Sequence, residues 1–201
     1  MSQIIQKAVS YAYEKHINGI RTGTTIPYIV HPIDVASILL KERNKSKVSD
    51  ELIVAGLLHD VFEDTGTSLD DINKEFGEEV MLLVKAASEP EEYKGESESE
   101  KRTSWKERKY HTIEFIKKAN WEVKLLSCAD KLSNLRDIIN DYFVDMDKLW
   151  ERFHASYEEI KWYYQSMVEA YRCENSIEDT TAFKIFAREV KAFFNEEPTR
   201  K

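Results

Sequence analysis

Apolar residues recur along most of this chain at spacings of three and four, the period of an α-helix. No stretch of useful length alternates as a strand would. The pattern predicts a first helix over residues 3–16, with Ile5, Val9, Ala12 and Tyr13 on one face. A loop follows over residues 18–28, and Pro32 opens a second helix to about Arg43. Ser49 is placed to cap a third helix, whose apolar run Leu52-Ile53-Val54-Ala55-Gly56-Leu57-Leu58 leads into a cluster of polar groups. Ser68 is placed to cap a short fourth helix ending near Phe76, and a fifth runs to about Ser88. Helices resume near Trp105 and again near Glu122. Trp150, Phe153, Tyr157, Ile160, Tyr164, Met167 and Tyr171 then alternate steps of three and four. That stripe reads as the core face of one long helix, or else as a seam between two copies. A last helix covers residues 179–194. Residues 89–103 break the pattern, being charged and aperiodic, and are expected to form a mobile loop or a poorly ordered lid. The expected fold class is therefore all-α.

Composition narrows the setting. A length of 201 residues suggests one domain. A chain this long buries roughly 70% of its unfolded surface, so it needs no disulfide or metal staple. A net charge of −8 argues against duplex nucleic acid or an anionic membrane as the main partner. Cys128 and Cys173 lie in apolar helical contexts and read as reduced thiols of a cytoplasmic protein. No apolar run is long enough to span a bilayer, and Gln6-Lys7 directly after Ile4-Ile5 is not expected in a signal peptide.

The chemistry concentrates where the third helix ends, at Leu57-Leu58-His59-Asp60-Val61-Phe62-Glu63-Asp64-Thr65. On a helix Glu63 lies one turn from His59 and Asp60, and Asp64 one turn from Asp60. Gly66 follows and can cap the helix. Carboxylates at a helix C-terminus meet the negative end of the macrodipole, which costs about 0.3–1 kcal/mol each. A bound divalent cation reverses that balance. Two other segments bear on the cluster. His31 sits in Pro27-Tyr28-Ile29-Val30-His31-Pro32, among apolar neighbours. Asp130 sits at the margin of the apolar stripe Leu125, Cys128, Leu132 and Leu135, with Asn134 one turn on. Alone, His31 reads as a structural histidine and Asp130 as one half of a salt bridge. Together, His31, His59, Asp60 and Asp130 offer two imidazoles and two carboxylates at the ends or margins of core-facing segments. Such a mixed donor set suits a borderline ion such as Mn, Fe or Zn, whereas Ca or Mg prefers oxygen alone.

Three stretches, PYIVHPIDVA at residues 27–36, AGLLHDVFEDT at 55–65 and ADKLSNLRDI at 129–138, resemble the HD-domain phosphohydrolases. The similarity is specifically to the hydrolase half of the Rel/Spo stringent-response enzymes and to the small alarmone hydrolases. FGEEVMLLV at 76–84 matches more loosely, and the similarity spans roughly residues 5–140. It implies an HD-type helical bundle over residues 1–201, with a core to about residue 145 and extra C-terminal helices over about 146–195. No synthetase domain is expected. It also implies one Mn ion per chain, with Fe or Zn as substitutes, on His31, His59, Asp60 and Asp130. Glu63 and Asp64 are implied as catalytic carboxylates, and Arg21 and Asn134 as nucleotide contacts. The implied reaction removes pyrophosphate from the 3′ position of guanosine 3′,5′-bis(diphosphate), and the implied protein is a monomer or homodimer.

The chain departs from the family pattern in its cations. The loop before PYI carries Arg21 alone where a basic cluster is usual, and no lysine stands at residues 86–88. Arg102, Lys106, Arg108 and Lys109 are the candidate replacements, each of which also fits a solvated helix face. Two other functions therefore stay open: a phosphohydrolase for another nucleotide, and a nucleotide-binding regulatory module without turnover.

Overall fold

Ser49 starts the most buried helix of the molecule, its hydroxyl accepting the Leu52 backbone N–H. In this computed structural model, which describes residues 2–88 and 97–195, the helices before it are α1 (Gln3–Lys15) and α2 (Val30–Glu42). The Ser49-capped helix is α3 (Asp50–Leu58), in which every residue from Leu52 to Leu58 is buried. An element buried all round must pack on several others. It packs against α1, α2, α6 (Glu78–Ala87) and α9 (Trp121–Asp145). Gly56 permits the approach of α2: a Cβ there would lie 2.7 Å from Leu39 Cδ1.

The third helix does not run on into the acidic cluster. It stops at Leu58, turns at His59-Asp60, and resumes as α4 (Val61–Asp64). His59 and Asp60 keep near-helical dihedrals, so the Asp64 N–H still reaches the Asp60 carbonyl at 2.9 Å. The one-turn spacing of Asp60 and Asp64 survives the interruption. Gly66 then takes a φ of 69°, the left-handed conformation expected of a residue that ends a helix. Next come α5 (Leu69–Phe76), closed at its start by a Ser68/Asp71 capping box, and α6.

Of the expected 89–103 loop, residues 89–96 lie outside the described residues. The remainder is not a loop: Ser97 and Glu100 form a capping box that opens α7 (Glu98–Thr103). Then follow α8 (Trp105–Lys118) and α9, whose buried Leu125, Leu126, Leu132 and Leu135 face the core.

The stripe from Trp150 is not one helix. Met146–Arg152 is a 3-10 helix that opens at Met146 with φ 52°, and Phe153 is extended. The α-helix α10 (Tyr157–Arg172) starts only at the Ser156/Glu159 capping box. Trp150 still packs its ring 5.0 Å from that of Tyr157. Ile160, Tyr164, Met167 and Tyr171 are buried within this chain, which removes the seam between two copies. The chain ends its described part in α11 (Thr181–Asn195). Among the described residues the one extended pairing is an isolated bridge from Ile20 to Pro27.

Two buried charged side chains attach the C-terminal helices to the rest. Glu42, at the end of α2, accepts the N–H groups of Thr181 and Ala182 at 3.0 Å each, and so caps α11. Lys124, fully buried on α9, donates to the carbonyls of Lys117 (3.3 Å) and Ala170 (3.2 Å) and to that of Glu174. It thereby closes the C-terminal ends of α8 and α10. Burial holds its pKa below the ordinary lysine range, against an upward pull from Cys173 and Glu174. Lys124→Met keeps the apolar stem but leaves buried carbonyls without a donor. We expect it to lower the unfolding free energy by about 1–3 kcal/mol in urea titration, with metal content unchanged.

Candidate metal centre

The interruption after α3 turns His59 inward. Its Nδ1 lies 2.9 Å from the Gly56 carbonyl, which can only accept, so Nδ1 carries a proton and, in the neutral ring, Nε2 presents the lone pair. His31, in the first turn of α2, brings its Nε2 to 3.2 Å from that of His59. The other ring nitrogen of His31 lies 3.1 Å from Ser133 Oγ. Both histidines are 3% exposed.

Two carboxylates complete the group. Asp60 Oδ2 is 3.1 Å from His59 Nε2 and 3.6 Å from His31 Nε2. Asp130 Oδ1, from α9, is 3.2 Å from His31 Nε2 and 3.8 Å from His59 Nε2. One donor atom each from His31, His59 and Asp130 lies within 4.8 Å of the others. Of the four side chains named for a metal on sequence grounds, His31, His59 and Asp130 form a group that could hold an ion, and Asp60 lies beside the two imidazoles but outside that group. The donor set fits a borderline divalent ion: two imidazole nitrogens aimed at each other need either a shared proton or a cation between them. The partners on Nδ1 of both rings are the outer contacts that hold a metal-binding imidazole in register.

Charge within the group is tightly balanced. Burial works against a cationic His59, but Asp60 and Asp130 outweigh it and raise its pKa to about 9. Burial likewise works against ionised Asp60, and the two imidazoles outweigh it, holding the carboxyl well below its usual range. Asp130 is also held low despite burial, chiefly by Lys131, whose Nζ donates to its Oδ2 at 2.6 Å. The same pairing raises the Lys131 pKa against the effect of burial.

Outer contacts tie the group to the substrate candidates. Asn134 Nδ2 donates to Asp130 Oδ1 at 2.5 Å, and Arg21 Nη2 donates to Asn134 Oδ1 at 2.8 Å and to Asp137 Oδ2 at 2.6 Å. Arg21 is therefore no free loop cation; its side chain is 18% exposed and anchored to α9. Glu63 and Asp64 stand on α4 directly beyond Asp60, the first half-buried and the second exposed.

Two cavities lie along this part of α9, the first of them lined by Asp130. One of about 410 Å³ is lined by His59, Asp130, Lys85 and Phe115 among others, and one of about 380 Å³ by Arg21, Asn134 and Tyr164 among others. Lys109, Lys131 and Tyr163 line both. Of the four replacement cations named from the sequence, Lys109 alone lines either cavity. Lys106 lies over the Trp162 ring, and Arg108 donates to Ser104 Oγ at 3.3 Å. Lys85, one position before residues 86–88, lines the first cavity. Sequence reasoning also missed Lys131, Ser133 and Tyr28. Lys131 and Ser133 share a helix with Asp130, and that adjacency was the available signal.

The chain matches the HD domain family over residues 8–153. It is 37% identical to the guanosine-3′,5′-bis(diphosphate) 3′-pyrophosphohydrolase MESH1 of Drosophila melanogaster over 134 residues, 66% of this chain and 68% of the relative. It is 34% identical over 134 residues to a guanosine-3′,5′-bis(diphosphate) 3′-pyrophosphohydrolase of Aquifex aeolicus, covering 67% of this chain and 18% of that one. Among solved structures, a Listeria monocytogenes protein superposes with TM-score 0.70 at 34% identity, covering 83% of this chain and 99% of that one. A metazoan ortholog of SpoT, which hydrolyzes ppGpp and plays a role in starvation responses, superposes with TM-score 0.71 at 27% identity, covering 95% of both chains.

Proposed function

This chain belongs to the HD domain family, and from that premise we propose that it is a metal-dependent 3′-pyrophosphohydrolase of guanosine 3′,5′-bis(diphosphate). The observation that supports the reading is the grouping of His31, His59 and Asp130, with Asp60 against both imidazoles, beside two cation-lined cavities. We assign those four residues one Mn ion per chain, with Fe or Zn able to take its place. An ion held there would supply a water acidified toward neutral pH.

The protein's own residues do the rest. Glu63 or Asp64 would relay the proton of the attacking water, whose oxygen bonds to the phosphorus on the 3′ oxygen while that P–O bond breaks and the 3′ oxygen leaves with the proton. Arg21 and Asn134 orient the nucleoside end, since a planar guanidinium stacks on a base or forks onto a phosphate. Lys85, Lys109 and Lys131 provide the local positive charge that a polyanion needs in a chain of net charge −8. We read residues 1–201 as one domain, with the helices past about residue 146 packed on an HD core, acting in the cytoplasm as a monomer or homodimer. No helix among the described residues is long and apolar enough to cross a membrane.

Incubation with Mn and a panel of nucleotides tests the reading. Pyrophosphate released from guanosine 3′,5′-bis(diphosphate) supports it. Orthophosphate from a simple nucleotide points to another HD phosphohydrolase. Thermal stabilisation by nucleotide without turnover points to a regulatory module.

Arg21 tests the nucleotide half. Arg21→Ala is expected to lower kcat/KM by about 1.5–3 kcal/mol, the scale of a charge-assisted contact. Metal content should stay at the wild-type level, and Arg21→Lys should recover little. Wild-type kinetics in Arg21→Ala would favour a different nucleotide.

A further inference from the structure

Tyr28 stands between the two halves of the site. Its hydroxyl donates to Asp60 Oδ2 at 2.6 Å, the same oxygen that faces both imidazoles. Its ring carries the Arg21 guanidinium, 5.5 Å from the ring centroid. The His16 ring packs on it at 4.8 Å, buried to 4% exposure, with Nε2 enclosed and without a hydrogen-bond partner. An unpaired buried nitrogen is costly, which marks the wall behind the ring as more than filler. The backbone is fixed as well: the Tyr28 N–H donates to the Gly19 carbonyl at 2.8 Å, and the Tyr28 carbonyl accepts from His31 N–H at 3.0 Å.

We propose that Tyr28 is a positioning residue with two separable tasks: its hydroxyl orients Asp60 on the metal, and its ring seats Arg21 for the nucleotide. The proposal rests on the metal-site reading above. A carboxylate ligand can rotate and can offer either oxygen, so a rigid phenol on Oδ2 selects one arrangement. Outer hydrogen bonds of this kind typically matter about 10–100-fold in metal affinity. A guanidinium packed on an aromatic face is held near one orientation, which lowers the ordering needed when substrate arrives. Tyr28 touches neither ion nor nucleotide in this account and acts through Asp60 and Arg21.

The test uses the full chain stripped of metal and titrated with Mn by calorimetry, followed by pyrophosphate-release kinetics at saturating Mn. Tyr28→Phe removes the hydroxyl alone. It should bind Mn about 10–100-fold more weakly while its KM for guanosine 3′,5′-bis(diphosphate) stays at the wild-type value. Tyr28→Leu removes the ring too, and should add a rise in KM of about tenfold, the effect of roughly 1.4 kcal/mol. Should that variant not fold, Tyr28→Met replaces it. Wild-type Mn affinity in Tyr28→Phe overturns the first task, and an unchanged KM in the ring-less variant overturns the second. His31→Ala is the control: undiminished Mn binding there overturns the metal reading itself. Loss of Mn in His31→Ala with full binding in Tyr28→Phe rejects the hydroxyl task and leaves the metal reading standing.

Discussion

Asp130→Ala should purify with little metal and no measurable turnover. The wild-type chain should carry about one transition-metal ion, as expected of a single four-donor site. The substitution removes the donor that α9 contributes, leaving His31, His59 and Asp60 from the N-terminal helices. It also strips Lys131 of its carboxylate at 2.6 Å and Asn134 of its acceptor at 2.5 Å. Breaking a largely buried ion pair costs about 3 kcal/mol, because the remaining charge stays desolvated. Two losses therefore add, and a chelator separates them. Stripping the wild type should lower its melting temperature by the linkage term of the lost ion alone. Asp130→Ala should melt below that stripped wild type, by the share due to Lys131. Elemental analysis finding undiminished metal in Asp130→Ala would remove Asp130 from the ligand set.

Glu63→Gln and Asp64→Asn should separate binding from chemistry. Both exchanges keep volume and remove charge, so the short helix α4 and its Asp64-to-Asp60 backbone bond should persist. The converging donor atoms come from His31, His59, Asp60 and Asp130, so metal content should hold in both variants. Turnover should fall by about 10²–10⁴-fold, the usual contribution of a general acid–base group. Single-turnover measurements with metal analysis on the same preparation decide the matter. Loss of metal in both variants would make these carboxylates ligands and overturn the division of roles.

The legible parts of the fold were those with local causes. Ser49 and Ser68 cap their helices as their spacing to the next turn requires, and the paired charges around His59 stood out against an apolar run. The Ser97-to-Glu100 spacing was an equally local signal for α7, overshadowed by the charge density around it. The 3-10 segment was not legible, because Trp150 and Phe153 keep helical spacing across a turn whose direction depends on Met146 at positive φ. Lys124 and Glu42 look like surface residues in sequence. They are buried because their partners are backbone groups of remote helices, which no periodicity reveals. Within the site, the candidate ligands stood out as polar residues in apolar company. Tyr28 and Lys131 did not, since only distance to Asp60 and Asp130 distinguishes them from ordinary neighbours.

The sequence separation of the partners also sets a time. Arg21 meets Asp137 across 116 residues, and His31 meets Ser133 across 102. Individual helices form on the microsecond scale or faster, but closure of such long loops waits on the arrival of α9. A ribosome adding about 5–20 residues per second needs roughly 6–23 s to cover those 116 residues. Until then the nascent chain has His31, His59 and Asp60 but lacks Asp130, the group member that α9 supplies. Each molecule thus begins life as a non-hydrolysing chain, and its hydrolytic capacity trails the start of its own synthesis by at least that interval.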